Sequence, residues 1–294
     1  PKFINEGIQY EGNYFAVPVN MQRVNWIWIN PTVFKLANAK IPNTWSELYI
    51  AAEKIKNAGF IPISIGTEAW EEGTLFENIV LGIEGMEFYK KLFLDLDIST
   101  LKSPTMLNIF KNFRKIQKLT DNTKEERTWE DATKLVAEGK AAMYFMGDWA
   151  KGVFKDANLK YGENGYMSIP TPGTKDIFLN NTDIFIFPKV DNNAALAQKI
   201  LSKIIMKKNI QINFNLAKGS IPAYKNISLE YFDEVSILSI NTIKKGNIVP
   251  SFNFRQTTSK KIHDSIVNLI SKFFRTNMTE EKAIDELVKI IEDK

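Results

Sequence analysis

The sequence predicts an α/β fold. Amphipathic stretches carry their own start and stop residues, short fully apolar runs lie between them, and no repeat or low-complexity linker interrupts the pattern. Thr44 opens the first clear helix, and Glu47 three residues on completes a capping box. Trp45, Leu48, Ala51, Ala52 and Ile55 then fall on one stripe, and Gly59 supplies the stop. The apolar run at 60–65 follows at once and reads as a strand.

Ser103 followed by Pro104 opens a second helix, with Ile109, Phe110, Phe113 and Ile116 on its buried face. A third begins at Thr128 and stops at Gly139, and the apolar run 141–146 after it suits a buried strand. Residues 177–188 hold a further strand candidate, IFIFP, preceded by the polar tetrad Asn180, Asn181, Thr182 and Asp183. A long helical pattern covers 194–208, and 218–222 reads as a turn. The stretch 234–294 is mostly helical, with stripes at 262–274 and 280–291.

The 294 residues suffice for one large or two ordinary domains. Without a linker, the expectation is domains interleaved by several chain crossings. The net charge of +4 is spread along the chain, with only short pairs such as Lys207-Lys208 and Lys244-Lys245. A nucleic-acid partner is therefore not expected, because it needs basic charge gathered on one face. The absence of cysteine excludes disulfides, thiolate zinc sites and thiol catalysis. No run of about eighteen apolar residues is present. The chain starts at Pro1 without a signal-peptide pattern, so the expectation is a processed product or a fragment.

Nothing in the sequence announces catalysis. HExxH, DxDxDG, GxSxG, GxGxxG and Walker patterns are all missing. The single histidine, His263, sits beside Lys260 and Lys261 and reads as a surface residue. A glycosidase would need two carboxylates flanking a sugar bond. Glu71, Asp148 and Asp183 could be proposed, but sequence cannot pair them. The expectation is a protein that is not an enzyme and needs no cofactor or metal.

Three stretches carry a recognisable pattern. The first is Tyr14-Phe15-Ala16-Val17-Pro18-Val19-Asn20 through Arg23-Val24-Asn25-Trp26, followed by Pro42-Asn43-Thr44-Trp45-Ser46-Glu47-Leu48. The second is Trp129-Glu130-Asp131-Ala132 leading into Gly139-Lys140-Ala141-Ala142-Met143 and Met146-Gly147-Asp148-Trp149-Ala150-Lys151-Gly152. The third is Asn181-Thr182-Asp183, then Lys218-Gly219-Ser220-Ile221-Pro222-Ala223. Together they resemble the extracellular solute-binding proteins of family 1, most closely the glucose/mannose-binding branch of these ABC-importer components.

The resemblance implies a two-lobe, type II periplasmic-binding-protein-like α/β fold, with interleaved lobes joined by hinge strands and an incomplete N-terminal lobe. Residues 1–14 would be a hinge or first-lobe remnant, and 15–175 the first part of the second lobe. Residues 176–233 would return to the first lobe, and 234–294 would complete the second as a helical part. The implied function is capture of a glucose- or mannose-like monosaccharide by a periplasmic monomer that delivers it to ABC permease subunits. A relative that keeps the fold but no longer binds sugar is the alternative.

A pyranose has apolar C–H faces and a rim of hydroxyls, so aromatic rings and polar side chains suit it together. By resemblance, Trp129 and Trp149 match stacking positions, and Asp183 and Lys218 match polar contacts with Asn181 beside them. Asn20, Gln22, Trp70 and Glu71 are further candidates. The chain departs from the family pattern twice: Gln22 and Phe254 each stand where a histidine is usual. Phenylalanine offers no hydrogen bond, which implies changed or weakened specificity.

Overall fold

The computed structural model describes residues 1–121, 123 and 125–293. The chain enters through α1 (Lys2–Gly7) and the hairpin β1 (Gln9–Tyr10) and β2 (Asn13–Tyr14), then passes through β3 (Ala16–Pro18), β4 (Gln22–Arg23) and β5 (Trp26–Ile29). Those last three short strands belong to three different sheets. Pro18 ends β3, since it has no amide to continue a ladder.

After β5 come α2 (Pro31–Leu36), α3 (Trp45–Asn57), β6 (Ile61–Ile63), α4 (Ala69–Phe93), α5 (Ile98–Leu101), α6 (Pro104–Gln117) and α7 (Trp129–Ala137). Then follow β7 (Ala141–Phe145), a single turn Asp148–Ala150, α8 (Lys151–Asp156) and β8 (Met167–Pro170). The main sheet has the order β6-β7-β5-β8, with β6 parallel to β7 and β5 antiparallel to both its neighbours. Every residue of β5 and β7 is buried, which is why they read as unbroken apolar runs rather than as alternations.

The expected helix starts are present. Thr44 and Glu47 form the reciprocal capping box of α3, and Leu48, Ala51, Ala52 and Ile55 are its buried residues. Thr128 caps α7. Sequence reasoning passed over α4. Its first half is apolar or buried on nearly every side, so no stripe marks it, and Gly85, at φ 76°, joins two helical halves.

The remaining elements are β9 (Phe178–Asn181), β10 (Ile184–Ile186), α9 (Asn192–Ile205), α10 (Lys208–Lys218), α11 (Glu234–Lys244), β11 (Ile248–Pro250), α12 (Lys260–Arg275) and α13 (Glu280–Glu292). The polar tetrad thus splits between β9 and the approach to β10. The stretch read as one long helix is α9, followed by a second helix, α10, that ends on a left-handed Gly219. β9 pairs with β4 on one side and β11 on the other, and β10 pairs with β3.

The largest core gathers α3, α4, α6, α12 and α13 around β5 and β7. Phe76, Phe110, Phe113 and Phe273 form its aromatic centre, with ring centroids 4.9–5.9 Å apart. The C-terminal helices therefore return to the unit built by residues 24–120. A smaller cluster of Met21, Phe178, Ile212, Ile221, Phe232 and Ile240 underlies α10 and α11. Ile184, Phe185 and Ile186 of β10 and Leu196 and Ile200 of α9 are exposed.

His263 is buried, contrary to the surface position its lysine neighbours suggest. It shares the inner stripe of α12 with Ile266, Val267 and Ile270. Its Nε2 lies 2.9 Å from the Asn253 carbonyl and its Nδ1 2.8 Å from Asp264. The ring is a packing and anchoring residue of the 251–254 loop.

Candidate functional site

The site begins at the segment that leaves β3. Asn20 and Gln22 are buried, and both side-chain amides reach Asp183 on the segment between β9 and β10. Asn20 Nδ2 donates to Asp183 Oδ2 at 2.8 Å, Gln22 Nε2 at 2.6 Å, and Lys218 Nζ at 2.6 Å. One carboxylate oxygen thus receives three donors. Among the described residues the other carboxylate oxygen receives no hydrogen bond, and the side chain is 41% exposed. Asn181 Nδ2 donates to Gln22 Oε1 at 3.1 Å, which fixes which end of the Gln22 amide faces Asp183.

Backbone pairing holds this row in place. Met21 and Ile221 exchange two hydrogen bonds, so the residues after Lys218 are pinned to the segment between Asn20 and Gln22. Asn215 Nδ2 donates to the Val19 carbonyl at 2.8 Å. Gly219 has to be glycine: its φ is +95°, and a Cβ would lie 2.9 Å from the Asp148 carbonyl. The end of α10 thereby sits directly against the turn that carries Trp149.

That turn is the second component. The Trp149 ring folds back over Gly147, where a Cβ would come within 2.1 Å of it. Trp28 Nε1 donates to the Met146 and Gly147 carbonyls at 3.0 and 3.1 Å and holds the turn from below. Asp148 Oδ2 accepts from the Arg23 backbone amide at 2.9 Å, while its Oδ1 has no partner among the described residues. Burial pushes the Asp148 carboxyl up to about 7, against the opposing pull of the Arg23 amide, Lys151 and Lys218.

Phe254 meets Trp149 edge-on with centroids 5.3 Å apart at 78°, and meets Trp70 at 6.1 Å. Trp70, Phe254 and Trp149 form one partly exposed aromatic wall. Trp129 begins α7 and packs with Trp70 and Trp149 against the Trp26, Trp28 and Tyr144 cluster. Glu71 is turned away from this wall. It is buried, its Oε2 accepts from Tyr144 Oη and from the Gly66 amide, and burial pushes it up to about 7.

The structure therefore gathers Asn20, Gln22, Asn181, Asp183 and Lys218 into one polar row, and Trp70, Trp149 and Phe254 into one aromatic wall. Glu71 lies inside the fold beneath Trp70. Arg23 was overlooked as a framework residue. Its buried guanidinium donates to the Thr174, Lys175 and Ile177 carbonyls at 2.9–3.0 Å, pinning the crossing from β8 to β9. Its position between Gln22 and Asn25 in a string otherwise buried was the available signal. Among the described residues, no group of three or more His, Cys, Asp or Glu is arranged to hold a metal ion.

Comparison with known proteins shows the family and the fold. The family described as bacterial extracellular solute-binding protein matches residues 1–204. The chain is 34% identical over 296 residues to a probable sugar-binding periplasmic protein of Brucella suis, covering 99% of this chain and 70% of that protein. Among solved structures, a chitin oligosaccharide binding protein superposes with a TM-score of 0.79 at 16% identity, over 98% of this chain and 73% of that one. The receptor AcbH, with its exclusive preference for β-D-galactopyranose, superposes at 0.69 with 23% identity over 96% and 72%. These likenesses give the chain a two-lobe α/β fold of the type II solute-binding kind. Since the family match spans more than two thirds of its length and the relatives are binding proteins rather than enzymes, the chain belongs to the bacterial extracellular solute-binding proteins.

Proposed function

We propose that the chain captures a sugar between the polar row and the aromatic wall, as the extracytoplasmic binding component of an ABC importer. The observation that carries this reading is Asp183. Three donors converge on its Oδ2, which fixes the carboxylate and leaves the other oxygen for a ligand hydroxyl. Lys218, one-third exposed, can donate to a neighbouring sugar oxygen while it orients the carboxylate. Shielded charged hydrogen bonds of this kind contribute about 1.5–3 kcal/mol each.

The wall of Trp70, Phe254 and Trp149 covers a pyranose face, and Trp129 extends it. A monosaccharide is favoured because Asp183 and Lys218 form a single ion pair, enough to grip one ring's hydroxyl edge. Residues 15–175 with 234–294 make one lobe in this reading, and 176–233 with 1–14 contribute to the other. The sheet β11-β9-β4 sits where the chain passes between them. Capture is then a hinge closure, biased by the ligand's greater affinity for the closed state, and the closed form is the one presented to a permease.

The test is a titration followed by tryptophan emission, with glucose, mannose, galactose and maltose as probes. Saturable change with a monosaccharide, weakened at least tenfold in Asp183→Asn and in Lys218→Met, is the expected result. Saturation by maltose alone would replace the monosaccharide reading with an oligosaccharide one. No saturable response to any of the four would remove these common hexoses and maltose as the ligand.

A further inference from the structure

Thr182 and Ile184, the chain neighbours of Asp183, line a cavity of about 280 Å³ onto which Phe254 opens. Phe3, Ile4, Ile8 and Ile184 give it an apolar side next to Phe254, and Thr182, Arg255 and Gln256 a polar one. The polar residues at its edge are already engaged. The Thr182 hydroxyl is bonded to the Asn180 side chain, the Gln256 amide lies against Asn180, and Arg255 pairs with Asp264 at 3.0 Å. A ligand hydroxyl laid on the Phe254 ring would leave water and find no partner in the ring, whereas a methyl group would gain contact area.

Phe254 is also held so that it cannot easily yield. Asn253 Nδ2 donates to the Trp70 carbonyl at 2.7 Å and to Thr74 Oγ1 at 2.8 Å. Its side chain can enter there only because residue 73 is glycine, where a Cβ would meet Asn253 Oδ1 at 2.2 Å. Ser251 Oγ donates to Glu77 Oε1 at 2.7 Å, and the Phe252 amide donates to Tyr89 Oη at 2.9 Å. The loop is bonded to α4 at Ser251, Phe252 and Asn253, and His263 holds the Asn253 carbonyl from α12.

We propose that the ligand is a 6-deoxy sugar whose methyl group rests against Phe254 while its hydroxyl edge meets Asp183 and Lys218. This rests on the sugar-binding reading above and narrows it. It assigns Phe254 as the residue that sets specificity, with Asn253 as its positioning residue.

Matched pairs test it by isothermal titration calorimetry on the complete protein: D-fucose with D-galactose, 6-deoxy-D-glucose with D-glucose, and L-rhamnose with L-mannose. Each pair differs by one hydroxyl. In the pair that binds, the deoxy member is expected to bind at least tenfold more tightly than its parent. Phe254→His should reduce that preference to threefold or less. A parent hexose that binds as well as its deoxy partner overturns this inference and leaves sugar capture standing. Silence from all six overturns sugar capture itself, and this inference with it. Should Phe254→His fail to fold, the pairs measured on the unaltered protein decide the matter alone.

Discussion

Asn20 and Asp183 exchange two hydrogen bonds. The Asp183 amide donates to Asn20 Oδ1 at 2.8 Å, and Asn20 Nδ2 returns a bond to Asp183 Oδ2 at the same distance. The pair joins the segment after β3 to the segment before β10, so one side chain both splices two strands and orients the carboxylate of the candidate site. Asn20→Asp would place two carboxylates at hydrogen-bond distance, and one of them would have to hold a proton. The expected outcome is a loss of about 1–3 kcal/mol in urea unfolding at neutral pH. Sugar affinity should fall at least tenfold at pH 8 and recover in part at pH 5. A pH-independent loss would show that the carboxylate charge is not what the ligand meets.

Gly147 is the second point of leverage. Any Cβ there collides with the Trp149 ring at 2.1 Å, so Gly147→Ala has to turn the indole out or shift the turn. Overpacking of this kind costs about 1–3 kcal/mol. The measurable signs are a shift in tryptophan emission without ligand and a sugar affinity reduced more than stability alone explains. An unchanged spectrum would mean that Trp149 has room to move elsewhere.

Local features were legible in the sequence because local physics decides them. The Thr44–Glu47 box and the apolar run at 141–145 need no partner from elsewhere to be read. α4 was not legible, because Glu71, Glu72 and Glu77 are buried charges inside an otherwise apolar helix and erase its periodicity. His263 obeyed the stripe of α12 while its type and its lysine neighbours pointed outward. At the site, the family resemblance pointed to Asn20, Gln22, Asp183 and Lys218 separately. Their convergence on a single oxygen depends on the pairing of Met21 with Ile221 and of β4 with β9, which no local pattern encodes.

Arg23 offers a test of the crossing. Its guanidinium is fully buried, burial pushes its pKa down to about 9, and it remains charged at neutral pH on three backbone carbonyls. Arg23 also lies over the Trp26 ring at 4.5 Å. Arg23→Met keeps much of the volume and removes the guanidinium donors from the Thr174, Lys175 and Ile177 carbonyls, while the Asn25 amide still donates to Thr174 and Ile177. The expected loss is about 1–3 kcal/mol, the cost of the buried hydrogen bonds that are lost. Equilibrium unfolding in urea reads it directly. A loss below about 1 kcal/mol would mean that water replaces the guanidinium and that the crossing is not pinned by it.

The pH profile follows from four buried carboxyls. Glu71, Glu72, Glu77 and Asp148 are each pushed up to about 7, chiefly by burial. In the unfolded chain they lose their protons near the ordinary carboxylate values of about 4. Between those limits the folded state binds more protons than the unfolded state, so stability is highest at the acid end and falls as pH rises. The limiting slope is about 1.4 kcal/mol per pH unit for each such group. Asp97, Asp131, Asp176, Asp233 and Asp264 are held below the usual range, and their contribution disappears only as pH falls below about 4. The two effects together place maximum stability near pH 5. Glu77→Gln removes one of the four groups and keeps one acceptor oxygen where Ser251 and Tyr89 now use two, so it should flatten the decline between about pH 5 and 7 by one group's share. Urea midpoints at several pH values measure this. A midpoint that rises steadily from pH 5 to 7 would mean that these carboxyls are ionised in the fold, and the parent and the Glu77→Gln variant would then share one profile.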